Sequence, residues 1–497
     1  MSKRAVYEST RRLKKTMAKS LYLTTTLPYV NADPHIGFAL EMVQADVIAR
    51  YRTLLGDNVF FSTGTDEHGL KIFRKAAEEG KDTQAYVDEY AAKFKRLKEK
   101  LDLHEELHFI RTTDAHHKAA AQEMWRRCLA QGDIFKKKYK GLYCVGDEAF
   151  IKETELVDGK CPNHPTMEPV EIEEENYFFR LSAYQEKLLA YLSREGVIVP
   201  EWRREEAINF VRKGLEDFSI SRTKEKMPWG VPVPDDDTQV MYVWFDALTN
   251  YVSTLGWPED AEGTFKKYWM EGETLQLAGK DQVRFQSIMW QGMLMSARLK
   301  TTDRILYHGF ITSDGKKMSK SLGNVIDPLA VVAEYGTDAL RYFLARHVHP
   351  FEDSDFTMEK FKEAYNANLA NGLGNLAARV MQLAESNLDK PVFAEDETFV
   401  FSYSPQTQEA MRGYDLNTVM DSIWGAVSRV DQTMQKDQPF KIVKEDKKRG
   451  VEMIQGMVKQ LAWIAKAIEP FMPDTSEKIL HAVKANKKPE NLFPRKD

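Results

Sequence analysis

Two distant stretches of the sequence carry residue types that suit a bound polyphosphate. In the first, LPYVNADPHIGFALEM (27–42), a strand-like run gives way to a helical pattern near Gly37. Backbone N–H groups at a helix N-terminus are unpaired donors with partial positive charge, which favours phosphate binding. His35 can donate a hydrogen bond to a phosphate oxygen, and Gly37 leaves room for a close ligand. Alone, a histidine at this position is also typical of a helix cap or a packed side chain.

The second stretch, DGKKMSKSLGN (314–324), places lysines and serines between glycines. Such a loop can lie over a triphosphate and stabilise the charge that builds up on departing pyrophosphate. Alone, it is also typical of a solvated basic loop. Paired with the His35 stretch, however, Lys317, Ser319 and Lys320 indicate chemistry on a nucleoside triphosphate.

The elements that must position both stretches alternate between strands and helices. The strand-like runs are 20–27, 58–63, 240–246, 274–279 and 305–311, and the helical patterns are 38–55 and 282–299. Short buried strands that alternate with helices are typical of βαβ units in a parallel sheet. The predicted fold class is therefore α/β, with a Rossmann-type doubly wound parallel sheet.

Two parts of the chain depart from this alternation. Residues 132–230 hold a lysine-rich hairpin-like region, a cysteine-containing loop and an acidic run, so we interpret them as a connective insertion between two halves of one sheet. From Met358 onward the strand signals stop. Apolar residues at helical spacing through 361–386, and amphipathic patterns at 408–434 and 445–485, predict an all-α helical bundle.

Composition restricts the class of protein. The 497 residues exceed a single core and predict several domains. With 70 basic and 75 acidic side chains, a nucleic-acid partner would have to be met by local clusters such as 136–140 and 447–449, which are also typical of solvated surfaces. Three cysteines predict a reducing compartment without a disulfide framework. No apolar run approaches the ~20 residues that span a bilayer, so no membrane partner is predicted.

Residues 1–20 are rich in lysine and arginine and contain one acid, Glu8. This composition is typical of a mitochondrial presequence, but also of a disordered leader or of a start assigned too far upstream, since Met17 lies just before the first strand. We predict a disordered leader and a cytoplasmic protein, with a mitochondrial location as the alternative.

The motifs PHIG and KMSKS resemble the two signatures of the class I aminoacyl-tRNA synthetases. The pattern is similar to methionyl-tRNA synthetases in particular through LPYVNADPHIG, FSTGTDEHG, GLYC with GKCPNHP, NYFFRLS, FSISR, YVWFDALTNY, GKDQVRF, DGKKMSKSLGNVIDP and YGTDALRYFLAR. These blocks follow in order from about residue 20 to the C-terminus. The resemblance implies that L-methionine is activated with Mg-ATP to methionyl-adenylate and transferred to the 3′ end of tRNA(Met).

Two alternatives stay open at this point. One is a catalytically weakened paralogue that acts as a tRNA- or protein-binding module, and the other is an enzyme with a different amino-acid substrate. We expect a monomer by default, since the sequence shows no appended RNA-binding or dimerising module after the predicted bundle. The resemblance implies this division of the chain: a leader (1–20), a first catalytic half (21–131), an insertion with a possible zinc knuckle (132–230), a second catalytic half with the lysine loop (231–324), a stem-contact segment (325–365) and an anticodon-binding bundle (366–497).

Site residues follow from the family's motifs, position by position. The resemblance implies catalysis by His35, Gly37, Lys317 and Lys320, and ATP contacts from His35, Phe38, Gly279, Asp281, Lys317, Ser319 and Lys320. It implies a methionine site of Leu27, Tyr29, Asp66, Trp244, Ala247, Leu248, Tyr251 and Gln286, and anticodon contacts from Asn375, Arg379 and Phe440. A carboxylate such as Asp66 suits the substrate ammonium, and aromatic faces suit a polarisable thioether.

Four positions depart from the family's pattern. Phe38 replaces a second histidine, and one lost donor to a transition state costs about 2.7–4 kcal/mol. Gln286 replaces a histidine beside the methionine side chain, and Phe440 replaces a tryptophan that stacks on an anticodon base. Asp147 stands where a zinc knuckle usually has cysteine. The implied zinc ligands are Cys144, Asp147, Cys161 and His164, for which a metal-free loop is the alternative.

Overall fold

A computed structural model of the chain describes residues 18–145, 149–151, 153–162, 164–318, 324–393 and 401–496. Most of the predicted leader therefore lies outside the described residues, as do Asp147, Ser319 and Lys320. For Lys317, the structure describes the backbone only.

The strands of this described part carry the labels β1 to β16 in chain order. They are β1 Ser20–Thr24, β2 Asn58–Thr65, β3 Leu107–Arg111, β4 Ile134–Cys144, β5 Ala149–Ile151, β6 Val170–Phe179, β7 Ile198–Val199, β8 Phe218–Ser219, β9 Ser221–Thr223, β10 Pro232–Val233, β11 Asp236–Met241, β12 Glu273–Gly279, β13 Arg304–His308, β14 Ile311–Ser313, β15 Lys316–Lys317 and β16 Ser354–Asp355.

The α-helices are labelled in the same way. They are α1 Ile36–Leu54, α2 Leu70–Glu78, α3 Thr83–Lys100, α4 Ala115–Ala130, α5 Gln185–Leu192, α6 Glu201–Arg212, α7 Val243–Leu248, α8 Asn250–Ser253, α9 Trp290–Ser296, α10 Pro328–Tyr335, α11 Thr337–Arg346, α12 Met358–Ala364, α13 Asn375–Asn387, α14 Pro405–Arg412, α15 Leu416–Asp437, α16 Pro439–Glu445, α17 Lys447–Ile468 and α18 Pro473–Ala485. Wider π-helical turns occur at Lys266–Met270, Phe285–Met289 and Tyr365–Gly374.

The chain folds into two compact units. Unit 1 comprises the described residues up to Pro34 together with Arg52–Lys98 and Glu105–Tyr307. Unit 2 comprises His35–Tyr51, Glu99–His104 and the described residues from His308 onward. The domain boundaries given above from the sequence stay a prediction.

Unit 1 is built on a six-stranded sheet with the order β3-β2-β1-β12-β13-β7. Strand β1 runs parallel to β2 on one side and to β12 on the other, with Leu21 opposite Val59 and Glu273. The strand order reverses at β1, which makes the carboxyl ends of β1 and β12 the ligand-binding edge of such a sheet. The predicted doubly wound α/β fold is confirmed.

The strand predicted at 240–246 is wrong. Strand β11 ends at Met241 and belongs to a small antiparallel sheet with β9 and β10, and the next residues form helix α7. Nearly every residue of α7 is buried, so the run reads as continuously apolar. A short run of this kind has the same pattern in a buried strand and in a buried helix.

The helix predicted at 282–299 is shorter than its pattern and starts differently. It begins as the π-helical turn Phe285–Met289 and ends with α9 at Ser296. Its residues are buried on nearly all sides, including the polar Gln286 and Gln291. The segment is therefore a core helix and not an amphipathic one.

The predicted lysine-rich hairpin is a long antiparallel pair within a four-stranded sheet, β5-β4-β6-β8. Its lysines face acids across the ladder: Lys138 lies opposite Glu175, and Lys140 lies opposite Glu173. Opposite charges at paired positions stabilise such a ladder.

Unit 2 contains a small sheet of β14, β15 and β16 and the helices from α10 onward. The apolar positions that predicted helices between 361 and 386 are buried: Phe361, Tyr365, Leu369, Leu373, Leu376 and Val380. The helical prediction at 445–485 divides into α17 and α18, where Pro470 and Pro473 interrupt the pattern. In the described part of the chain, no helix is both long and apolar enough for a bilayer.

Candidate active site

The carboxyl end of β1 brings two predicted methionine ligands together. After β1 the backbone of Tyr29 pairs with that of Asp66, beyond the end of β2. The Asp66 N–H donates to the carbonyl of Pro28 over 2.9 Å, and the Val30 N–H donates to the carbonyl of Asp66 over 3.2 Å. Asp66 is buried and Tyr29 is half-buried, so a carboxylate and an aromatic ring share this edge of the sheet.

The neighbouring Glu67 braces the turn that carries Asp66. It is fully buried, and its carboxylate accepts hydrogen bonds from Arg111 over 2.7 and 2.8 Å. The Trp229 indole donates to the Glu67 carbonyl over 2.6 Å. Because both carboxylate oxygens and the carbonyl accept hydrogen bonds, Glu67 holds this turn in place.

His68 belongs to a buried network that the sequence analysis missed. Its Nδ1 lies 2.6 Å from one Asp246 oxygen, and the Nε2 of His117 lies 2.8 Å from the other. Although burial alone raises the pKa of the Asp246 carboxyl, the two imidazoles outweigh that effect and hold the pKa at about 2. The network fixes α7 to the turn after β2 and to α4. Its only sequence signal was a histidine and an aspartate inside two motif blocks.

Helix α7 and the residues after it present the predicted thioether site. The Trp244 ring stacks on Phe285 with a centroid distance of 3.7 Å, and the Tyr251 hydroxyl donates to Gln286 Oε1 over 3.0 Å. Ala247 and Leu248 are buried beside them, and Leu27 is half-buried.

Two donors of this cluster have no hydrogen-bond partner within the described residues: the amide Nε2 of Gln286 and the indole Nε1 of Trp244. An unpaired buried donor costs about 1–3 kcal/mol. Gln286 also lies in a π-helical turn, a geometry that is frequent at functional sites. Both donors are therefore suited to a polar group of a ligand.

The carboxyl end of β12 carries the predicted ribose contacts. Gly279 is the last residue of β12 and leads into a single 3₁₀ turn, Lys280–Gln282. Asp281 is exposed and accepts a hydrogen bond from the Gln282 amide over 2.8 Å. A carboxylate after a strand at this edge is where a doubly wound sheet binds ribose hydroxyls.

In unit 2, the His35 imidazole lies over the first turn of α1. Its Nδ1 accepts a hydrogen bond from the Gly37 N–H over 3.1 Å, so the ring hydrogen is on Nε2. Burial lowers the pKa of His35 to about 4, which keeps the ring neutral near pH 7. A Cβ on residue 37 would lie 2.9 Å from the imidazole, so only glycine leaves the ring this position. Phe38 packs against the same ring at 4.3 Å between centroids.

The lysine-bearing stretch begins as an antiparallel hairpin of β14 and β15, which carries Lys317. Beyond it, the carbonyl of Ile326 accepts a hydrogen bond from the Ile36 N–H over 3.1 Å. The chain after the lysine loop therefore returns to the start of α1, where His35 lies. Contacts of Lys317, Ser319 and Lys320 with ATP stay a prediction.

Comparison with known proteins identifies the family. A family model described as tRNA synthetases class I (M) matches residues 21–169 and 165–381. The chain belongs to the class I methionyl-tRNA synthetases. It is 41% identical to the methionine–tRNA ligase of Caldanaerobacter subterraneus subsp. tengcongensis over 93% of this chain and 74% of that protein. It is 39% identical to the ligase of Brucella suis over 94% of this chain and 92% of that protein.

A solved structure of this family has the same fold. Mycobacterium tuberculosis methionyl-tRNA synthetase in complex with methionyl-adenylate matches with a TM-score of 0.85 and 37% identity, covering 96% of this chain and 99% of that one. The likeness thus extends over nearly the whole of both chains.

Two of the predicted anticodon residues, Asn375 and Arg379, lie one turn apart on α13. Asn375 is exposed, and Arg379 pairs with Asp431 of α15 at 3.0 Å. Phe440 on α16 has 39% of its surface exposed, which leaves a ring face accessible for stacking. Their contact with an anticodon stays a prediction.

Three of the four predicted zinc ligands meet in unit 1. Donor atoms of Cys144, Cys161 and His164 all lie within 4.8 Å of one another. The His164 N–H donates to the Cys161 carbonyl over 3.0 Å, a tight turn that places both side chains on one side. Two thiols and an imidazole are the donor types that zinc prefers. The fourth predicted ligand, Asp147, lies outside the described residues.

The basic cluster 136–140 is matched by acids. Lys136 pairs with Asp236 at 2.7 Å, and Lys140 pairs with Glu171 at 2.7 Å. Two lysines of this cluster are therefore already paired with acids, which lowers the net positive charge that the strand presents.

Proposed function

We infer that this chain is a methionine–tRNA ligase. In the first step, the carboxylate of L-methionine attacks the α-phosphorus of Mg-ATP in line and pyrophosphate departs. In the second step, a hydroxyl of the 3′-terminal adenosine of tRNA attacks the mixed anhydride, and AMP departs. The observation that carries this conclusion is the family match through 21–381 on a chain that keeps the site geometry described above.

For the amino acid, we propose that Asp66 binds the α-ammonium group and that the cluster around Trp244 and Tyr251 holds the thioether. The position of Asp66 beside Tyr29 supports the first role, because a carboxylate at this edge of the sheet can pair with the ammonium group. The donors of Trp244 and Gln286 support the second role, since both are buried N–H groups without a hydrogen-bond partner among the described residues.

For the nucleotide, we propose that the neutral His35 donates its Nε2–H to a phosphate oxygen. The helix start of α1 supplies further backbone donors, and Gly279 with Asp281 receives the ribose. Lys317, Ser319 and Lys320 then stabilise the charge on departing pyrophosphate. No side-chain nucleophile is needed, because catalysis by positioning and charge stabilisation accounts for both steps.

Magnesium enters this reaction with ATP as part of the substrate. For zinc, we propose a structural site of Cys144, Cys161 and His164, with Asp147 as the fourth ligand. Metal analysis of the purified protein tests this proposal, with Cys161→Ala as the control variant. About one zinc per chain, lost in the variant, supports it, and a protein without stoichiometric metal removes it.

For its partners, we propose that the enzyme works as a monomer in the cytoplasm and binds tRNA(Met) through Asn375, Arg379 and Phe440. Sedimentation of the purified chain tests the monomer. Aminoacylation with Asn375→Ala and Arg379→Ala tests the anticodon contacts, with the surface change Lys266→Met as the control. A raised KM for tRNA with unchanged ATP–pyrophosphate exchange is the expected result.

The deciding experiment is methionine-dependent ATP–pyrophosphate exchange by the unmodified chain, followed by charging of tRNA(Met). Leucine, isoleucine and norleucine, run in parallel, report the side-chain selectivity that Gln286 sets. Exchange that depends on methionine supports the ligase. A chain that binds tRNA and yet supports no exchange with any of these amino acids would be the weakened paralogue.

A further inference from the structure

The lysine-bearing hairpin is tied to α1 at two places. Before the hairpin, His308 at the end of β13 places its Nε2 2.8 Å from Glu41 Oε2 on α1. After it, the Ile326 carbonyl accepts the Ile36 N–H over 3.1 Å. All four residues belong to unit 2, and Ile36 and Glu41 lie within the first two turns of the same helix.

The first tie is a buried hydrogen-bonded pair. The Nδ1 of His308 lies 2.7 Å from the Gly309 carbonyl, and its Nε2 lies 2.8 Å from the Glu41 carboxyl group. Both ring nitrogens of His308 therefore have a hydrogen-bond partner. His308 and Glu41 are 6% and 7% exposed, so water screens the pair little.

Only a few residues of well-packed backbone separate His308 from the hairpin. A Cβ on residue 309 would lie 2.1 Å from the carbonyl carbon of Glu352, so the backbone there packs directly against that of Glu352. The Phe310 N–H donates to Asp353 over 2.9 Å, and β14 begins at Ile311. A short, packed and hydrogen-bonded segment therefore joins His308 to the β14–β15 hairpin.

We propose that Glu41 and His308 are positioning residues for adenylation: their pair sets the distance between the hairpin that carries Lys317 and the helix start that carries His35. The proposal rests on the proposed function. Neither residue belongs to the predicted substrate contacts, so each acts through the elements it joins. A displacement of about 1 Å between reacting groups costs up to about 100-fold in rate.

The test uses Glu41→Gln, His308→Gln and the double variant in the full-length chain. Each single variant is expected to lower kcat of ATP–pyrophosphate exchange by about 10–100-fold. The KM for methionine, and methionine binding followed by tryptophan fluorescence without ATP, should stay within about twofold, because the predicted methionine ligands lie in unit 1. The double variant should be no slower than the slower single variant, because both changes remove the same tie.

Lys266→Met is the matched control, since it removes an exposed ion pair with Glu262 that lies outside the hairpin and α1. Its exchange rate should stay within about twofold of the unmodified chain. Should a single variant fail to fold, the double variant, which replaces both buried groups by neutral amides, carries the same kcat test.

Three results overturn the inference. The first is a single variant that keeps its kcat, and the second is a double variant whose loss of kcat is the product of the two single losses. The third is a KM for methionine that rises by the same factor as kcat falls. An unmodified chain without methionine-dependent exchange contradicts the proposed function instead. The two failures are therefore distinguishable.

Discussion

Two buried aspartates, one in each compact unit, have carboxyl pKa values that are shifted in opposite directions. Burial alone raises the pKa of both carboxyls. For Asp246 in unit 1, the imidazoles of His68 and His117 outweigh burial and bring the pKa down to about 2. For Asp338 in unit 2, burial dominates over the Thr475 hydrogen bonds and the charge of Arg341, and the pKa rises to about 6. The partner, and not the depth of burial, decides whether the carboxylate stabilises its unit.

The difference follows from what each aspartate does. Asp246 joins three elements that carry or support the predicted methionine site, and both of its oxygens are hydrogen-bonded to imidazoles. Asp338 accepts the Thr475 N–H over 2.6 Å, at the first turn of α18. A backbone N–H at a helix start needs an acceptor but not a full negative charge.

Arg341, one turn after Asp338 on α11, does not neutralise it. Its guanidinium donates instead to Asp46 over 2.6 Å and to the carbonyls of Pro470 and Phe471 over 2.9 and 2.8 Å. Asp338 and Arg341 thus hold the two sides of the turn between α17 and α18. The carboxylate accepts a hydrogen bond at the positive start of α18, and the guanidinium donates to the carbonyls before it, so each charge lies where the local dipoles favour it.

The largest expected effect is a contrast between two matched substitutions at pH 7. Asp246→Asn should lower the free energy of unfolding by about 3 kcal/mol, because it removes the carboxylate that is hydrogen-bonded to both buried imidazoles. Asp338→Asn should raise it by about 1–3 kcal/mol, since the amide oxygen keeps the Thr475 bond and no buried charge is left. Urea unfolding followed by circular dichroism measures both.

The two substitutions should also differ in their effect on methionine binding. Asp246→Asn should also weaken methionine binding, because α7 carries Trp244 and Ala247, whereas Asp338→Asn should leave it unchanged. Equal destabilisation by both substitutions would show that burial alone decides how each carboxyl affects stability. It would contradict the predicted difference between Asp246 and Asp338.

The pH dependence of stability gives the next effect. With a pKa of about 6 in the folded state against an ordinary 3.8, Asp338 keeps its proton in the folded chain after the unfolded chain has lost it. The folded state then binds more protons, so its stability falls as pH rises from about 4 to about 6, by about 3 kcal/mol in total. The measurement is the difference between the unmodified chain and Asp338→Asn across this window. Parallel curves would contradict the prediction.

Much of the fold and part of the site could be predicted from the sequence. The strands at 20–24, 58–65 and 273–279 have the short β-rich pattern of buried strands, and the neighbourhood of His35 and Gly37 is encoded within one contiguous motif. Helix α7 was assigned as a strand because an apolar run that is buried on all sides has no period.

The buried networks could not be predicted, for a different reason. His68 and Asp246 are separated by 178 positions, and Asp46 and Arg341 by 295. A charged residue inside a helical pattern looks the same in one sequence whether it faces water or a distant partner. Such pairs become visible only once the fold brings their elements together.

For Asp246, in contrast to Asp338, stability is lost as pH falls. The Asp246 carboxyl has a folded-state pKa of about 2 against an ordinary 3.8, so the stability it contributes is present above pH 4 and is lost as pH falls toward 2. The loss should amount to about 2 kcal/mol. The gap between the unmodified chain and Asp246→Asn should therefore narrow over this range. A gap that stays constant down to pH 2 would mean that the two imidazoles do not set this pKa.

The smallest expected effect on stability is at His35, where burial without an ionic partner again keeps a group neutral. Phe38→His places a second imidazole against this ring, at the position where the family has one. Because Phe38 is half-buried and the replacement is smaller, stability should change by less than about 1 kcal/mol. The exchange rate should be unchanged or higher, since the new ring adds a donor near the phosphate site. A sharp loss of exchange would instead show that the phenyl ring, 4.3 Å from His35, holds that imidazole in place.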